Sequence, residues 1–132
     1  MGKTWLITGC SEGGIGAAVA HCALEAGNKV VVTARNTAKV AGIIKDFPDT
    51  AFPVTLDVTD QESVKTAVAN AVEHFGTIDV LVNNAGYCYR ASVEKKQSSC
   101  YEAAYRYGRT SRFWVQKIKS GFWKISVPVM WN

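Results

Sequence analysis

With 132 residues, 48% of them hydrophobic and 20% charged, the chain has the size and composition of a single globular domain, able to bury roughly two thirds of the surface its unfolded form exposes. It contains no run of about 18 apolar residues to span a bilayer, and Met1-Gly2-Lys3-Thr4-Trp5 lacks the layout of a secretory signal, so a cytoplasmic protein with no membrane span is expected. Cys10, Cys22, Cys88 and Cys100 are scattered, without a Cys-x-x-Cys pair, and His21 and His74 are the only histidines; this argues for reduced, mostly buried thiols and against a metal site or disulfide framework.

In chain order, Trp5-Leu6-Ile7 is a short apolar strand that runs into Thr8-Gly9-Cys10-Ser11-Glu12-Gly13-Gly14-Ile15-Gly16, a glycine-rich turn leading into a helix. Glycine tolerates positive φ and has no side chain to hold a ligand away, so backbone N–H groups at such a helix start can reach a pyrophosphate. Ile15, Val19, Cys22 and Ala26 recur at helical spacing, and Gly27-Asn28 supplies a stop. Lys29 to Thr33 follows as a buried strand rich in β-branched residues. A weaker helical stretch covers about Thr37 to Phe47, and Phe52 to Leu56 makes a third strand whose Pro53 favours an outer position.

Thr59-Asp60-Gln61-Glu62 has the pattern of a capping box, and Val64, Val68, Ala71 and Phe75 form the apolar stripe of the helix it opens, with Gly76 at its end. Ile78 to Val82 is the fourth strand and leads into Asn83-Asn84-Ala85-Gly86. Alternating strands and helices imply an α/β fold, a Rossmann-like doubly wound parallel sheet, with ligands at the carboxyl ends of its strands. Several motifs fall at those ends: the glycine turn after the first strand, Arg35 after the second, Asp57 after the third and Asn83 to Gly86 after the fourth. An acid commonly follows the second strand in NAD-binding proteins; a guanidinium there favours a 2′-phosphate.

From Lys3 to about Glu94 these motifs resemble the nucleotide-binding half of a classical short-chain dehydrogenase/reductase. The resemblance implies cofactor contacts from Gly9, Ser11, Gly13, Gly14, Ile15 and Gly16 in the turn, from Thr33 and Arg35 after the second strand, and from Asp57 at the adenine. It further implies contacts from Asn83, Ala85 and Gly86 near the nicotinamide ribose, with NADP (NADPH) as the cofactor. It also implies the strand order 3-2-1-4. The family's usual turn is Thr-Gly-x-x-x-Gly-x-Gly; here the turn is longer by one residue, as in fungal members that resemble acyl-dihydroxyacetone-phosphate reductases. Simpler roles stand beside these: Arg35 as a solvated charge where a helix begins, Asp57 as a cap for the loop before Thr59, and Cys10 as a small filler.

After the Asn-Asn-Ala-Gly segment, family members carry a catalytic serine at the end of a further strand and a Tyr-x-x-x-Lys pair that handles the proton at the substrate oxygen. No tyrosine here has a lysine four residues later, so no catalytic residue is assigned. From Val93 onward eight bases face two acids, whereas nine acids and seven bases precede it. This divides the chain into 1–94, an NADP-binding half-domain, and 95–132, a divergent basic, aromatic tail expected to arise from a frameshift or retained intron or to be disordered. A sheet truncated after its fourth strand leaves that strand at an open apolar edge, which Trp114, Ile118, Phe122 and Ile125, at near-helical spacing, are placed to patch.

Three functions remain open at this stage. The first is an NADP-dependent oxidoreductase for a small-molecule carbonyl or secondary alcohol, impaired in this chain. The second is a non-catalytic nucleotide-binding module that pairs with itself or with a full-length relative. The third is a decayed gene product without activity. No module for nucleic acid accompanies the bases.

Overall fold

The computed structural model describes residues 2–86 and the strand Trp123–Ser126. Strands β1 (Thr4–Ile7), β2 (Lys29–Ala34), β3 (Ala51–Thr55), β4 (Val80–Asn83) and β5 (Trp123–Ser126) form one sheet in the order β3-β2-β1-β4-β5. Every pairing is parallel: Leu6 lies between Val31 and Leu81, and Val82 of β4 stands opposite Ile125 of β5. This is the doubly wound α/β sheet the sequence implies, in the expected order 3-2-1-4 and with Pro53 on its outermost strand.

The consecutive apolar residues of the strands divide between two cores. Ile7, Val30, Val32, Val80 and Val82 face helices α1 (Ile15–Glu25) and α2 (Ala41–Asp46), while Leu6, Val31, Val54 and Leu81 face α3 (Gln61–Phe75). Burying both faces of a strand requires apolar side chains at every position, and each fully buried valine contributes about 1.5–3 kcal/mol relative to exposure. A 3₁₀ turn, Thr37–Val40, precedes α2, and its Val40 is fully buried. No helix among the described residues is long and apolar enough to cross a membrane.

Three sequence expectations are corrected here. Helix α1 does not bury the stripe Ile15, Val19, Cys22 and Ala26: Ile15 is 67% exposed, Cys22 and Ala26 are exposed, Val19 packs only at the margin of the core, and the buried face is Gly16, Ala17, Ala20, Ala23 and Leu24. Small side chains let the helix axis approach the sheet, and that close approach outweighs the pull of the larger apolar residues. The capping box does not form either. Asp60 caps α3 by accepting from the Glu62 N–H at 3.0 Å, and Thr59 is engaged elsewhere. The stripe Val64, Ala67 and Ala71 is buried, with Val68 and Phe75 packed at its margin, and Gly76 closes the helix as expected.

The third correction concerns the open edge. Strand β4 is not at the border of the sheet, because β5 pairs with it from Val80↔Trp123 to Asn83↔Ser126. Ile125 therefore lies in a strand, not on a helix, while Trp114, Ile118 and Phe122 fall outside the described residues.

Candidate functional site

The loops at the carboxyl ends of the strands are joined by a network centred on Thr8 and Asn84. The Thr8 hydroxyl accepts from the backbone N–H of Asn84 (3.0 Å) and of Ala85 (2.9 Å), and it donates to the Val82 carbonyl. The Asn84 side-chain amide donates to the carbonyls of Thr8 (3.1 Å) and Gly9 (3.0 Å). Both hydrogens of one amide thus hold the start of the glycine loop against the end of β4.

The glycines fall where the backbone is most crowded or most bent. Gly9 has φ +72°, and a Cβ there would come within 2.9 Å of Ala85 Cα. At Gly16 a Cβ would run into the Gly9 carbonyl and come within 2.5 Å of Asn84 Nδ2. Gly14 is the N-cap of α1 and offers no side-chain hydrogen bond, and the first turn carries no acid. By contrast α3 is capped by Asp60 and has Glu62 in its first turn. The start of α1 is therefore a cradle with free N–H groups and no side chain in the way, which suits an anion.

The loop is anchored beneath by Cys10 and Thr33. Cys10 N–H donates to the Thr33 carbonyl at 2.8 Å, and the Thr33 hydroxyl donates to the Ile7 carbonyl at 2.8 Å. Both residues are fully buried, and burial pushes the Cys10 thiol up to about 12. Cys10 fills space as expected, whereas Thr33 offers no free hydroxyl to the cleft: it ties β2 to β1. Cys22 is exposed, and Cys88 and Cys100 lie outside the described residues.

Arg35 follows β2 and is exposed, with no ion-pair partner among the described residues. Asp57, after β3, accepts from both the hydroxyl (2.6 Å) and the N–H (2.9 Å) of Thr59 on one carboxylate oxygen. Those two bonds hold its carboxyl below the usual carboxylate range, and the Arg35 charge adds to the effect. The local cap read for Asp57 is thus present, and it leaves the second carboxylate oxygen without an intramolecular donor among the described residues.

A model of the short chain dehydrogenase family matches residues 3–120 of the chain. The chain belongs to that family. Among its relatives, the oxidoreductase BOA17 of Botryotinia fuckeliana is 46% identical over 95 residues, which cover 71% of this chain and 34% of the relative. A 3-ketoacyl-(acyl-carrier-protein) reductase from Brucella melitensis, solved with NADH, superposes with a TM-score of 0.80 at 29% identity, covering 88% of this chain and 48% of that one. A gluconate 5-dehydrogenase from Burkholderia cenocepacia, solved with NADP and tartrate, gives 0.75 at 33% identity, covering 85% and 45%. The chain spans about a third of the length of the curated relatives it matches.

Within this short-chain dehydrogenase scaffold, Gly9, Ser11, Gly13, Gly14, Arg35, Asp57, Asn83, Ala85 and Gly86 stand on loops or strand ends at the same edge of the sheet, and Ile15 and Gly16 open α1 there. The asparagines of Asn83-Asn84 were expected to bond to backbone, as Asn84 does, whereas Thr8 was not singled out as its partner. A polar residue closing an apolar strand, facing a second such residue at the end of the neighbouring strand, was the available signal. Asn83, named ahead of Asn84, has its Nδ2 buried without a partner among the described residues. Ser126 ends β5 in register with Asn83, so a serine closes a parallel strand at this edge.

Proposed function

We propose that the chain is the coenzyme-binding part of an NADP(H)-dependent oxidoreductase for a carbonyl or secondary alcohol, and that these 132 residues bind the coenzyme without turning it over. The backbone at Gly14, Ile15 and Gly16, with Gly9, Ser11 and Gly13 around it, receives the pyrophosphate; Arg35 receives the 2′-phosphate. Asp57 meets the adenine, and Asn83, Ala85 and Gly86 border the nicotinamide ribose. The bound coenzyme would supply or accept the hydride. Residues 1–94 carry this site, and 95–132 form the divergent remainder.

The carrying observation is Arg35: an exposed cation, in no ion pair among the described residues, at the strand end where an acid would serve ribose hydroxyls. The uncapped start of α1 and the side-chain-free cradle of Gly9 and Gly16 support the pyrophosphate position. The absence of any tyrosine with a lysine four residues on supports the lack of turnover; a missing positioned acid or base lowers a rate by about 10²- to 10⁴-fold. An intact cradle beside absent proton-transfer residues also favours a second reading, a nucleotide-binding module that pairs with a full-length relative. A reducing compartment suits the free Cys10 and Cys22 thiols, and the cytoplasm is the location we assign.

Fluorescence titration with NADPH and NADH, together with loss of NADPH absorbance over a panel of ketones, tests the reading. Saturable, NADPH-preferring binding without turnover is expected, and Arg35→Asp is expected to reverse the preference. Turnover of any ketone overturns the non-catalytic half of the proposal, and failure to bind either coenzyme overturns the whole.

A further inference from the structure

We infer that Glu12, in the lengthened glycine turn, is a positioning residue that sets how well Arg35 meets a 2′-phosphate, and hence the preference for NADP over NAD. The inference rests on the coenzyme reading above and deepens it. Glu12 holds the segment between β2 and α2 at two points: its N–H donates to the Lys39 carbonyl at 3.0 Å, and its Oε1 accepts from the Gly42 N–H at 3.0 Å. No other hydrogen bond among the described residues joins residues 11–16 to residues 35–46.

Elsewhere α1 meets α2 through apolar contact, with Ala17, Ala20 and Ile43 in one buried core and the His21 ring edge-on to Phe47. A groove of about 420 Å³ opens beside this contact, lined by Glu12, Gly14, Ala18, Gly42 and Asp46 among others. The Arg35 segment is fixed at its base, where Ala34, Val40 and Ile43 are buried, but residues 35–39 are largely exposed; the backbone N–H of Glu12 ties them to the glycine turn at Lys39, and the Glu12 side chain ties the start of α2 at Gly42. Position 42 is fitted to this arrangement, because a Cβ there would lie 2.5 Å from Glu12 Oε1.

A dinucleotide with a 2′-phosphate touches both loops at charged points, so its affinity depends on the distance between them. NADH places no phosphate at Arg35 and is insensitive to where the guanidinium stands. Glutamine keeps the accepting oxygen of Glu12; alanine removes it.

Dissociation constants for NADPH and NADH, with melting temperatures, are to be measured for the wild type, Glu12→Gln, Glu12→Ala, Gly42→Ala and the Glu12→Ala/Gly42→Ala double variant. Glu12→Gln is expected to keep the wild-type ratio. Glu12→Ala and Gly42→Ala should each lower the NADPH preference by about five- to tenfold, the scale of one hydrogen bond, while NADH affinity moves by less than about twofold. The double variant should lose no more than either single one, since both break the same contact. Gly42→Ala lies within a helix and should melt no lower than the wild type, which separates lost positioning from lost folding. An unchanged ratio in Glu12→Ala against a wild type that prefers NADPH overturns the inference and leaves the coenzyme reading standing. So does an equal loss of both coenzymes with a lowered melting temperature. A wild type without NADPH preference overturns the coenzyme reading, and the inference with it.

Discussion

At Asp57 one carboxylate oxygen takes both donors of Thr59, and the charge of Arg35 is near enough to favour the ionised form. The folded-state acidity therefore lies below the ordinary value of 3.8. As pH falls, the unfolded chain takes up this proton before the folded one does. The stabilisation is thus complete above the unfolded value and is lost as pH drops through the folded one. Asp57→Ala should accordingly show a shallower decline of melting temperature than the wild type between about pH 5 and pH 3; parallel curves would contradict this account of the site. Cys10 is shifted the other way, to about 12, and lies fully buried in the loop, while Cys22 is exposed. Iodoacetamide at neutral pH is expected to modify Cys22 in the native protein and to reach Cys10 only after unfolding, as mass spectrometry of the labelled peptides will show. Native-state labelling of Cys10 at the rate of Cys22 would refute the buried placement.

The elements differ in how plainly the sequence announces them. Helix α3 was legible because large apolar residues at Val64, Val68 and Phe75 mark one face, and Gly76 ends it in the left-handed conformation. Helix α1 was legible as a helix but not in its orientation, since its buried face is made of Gly16, Ala17, Ala20 and Ala23, whose small size is itself the signal for close packing. The cradle follows from the same packing. Gly16→Ala should cost about 2–3 kcal/mol, because its Cβ meets the Gly9 carbonyl and Asn84. Gly13→Ala, with φ +79° but open space around it, should cost only about 1 kcal/mol. Urea denaturation of the two variants distinguishes these cases, and equal losses would mean that the close approach of α1 to the loop is not what position 16 provides. Asn84→Asp is a harsher change. It turns a carboxylate toward the carbonyls of Thr8 and Gly9 and should abolish coenzyme binding where Asn84→Ala only weakens it.

For the whole molecule, the parallel doubly wound sheet was legible from the alternation of strands and helices, and the strand order 3-2-1-4 from the family resemblance that the strand-end motifs carry. The fifth strand was not. Trp123 and Ile125 alternate with Lys124 and Ser126 over only four residues, and a helical spacing that shared Ile125 with Trp114, Ile118 and Phe122 masked that period of two. Its consequence is that β4 is flanked by β1 and β5 and presents no free edge. Amides of Val80 to Val82 should therefore exchange with solvent as slowly as those of β2, and removing 123–132 should speed their exchange and promote association of the protein through β4. Fast exchange at Val80 to Val82 in the intact chain would show that β5 does not hold. The chain's central property, though, is its cradle, and a crystal structure of these 132 residues grown with NADP tests that most directly. The pyrophosphate should lie at the start of α1, with the 2′-phosphate against the Arg35 guanidinium. A cradle left empty, or a coenzyme whose 2′-phosphate points away from Arg35, would contradict it.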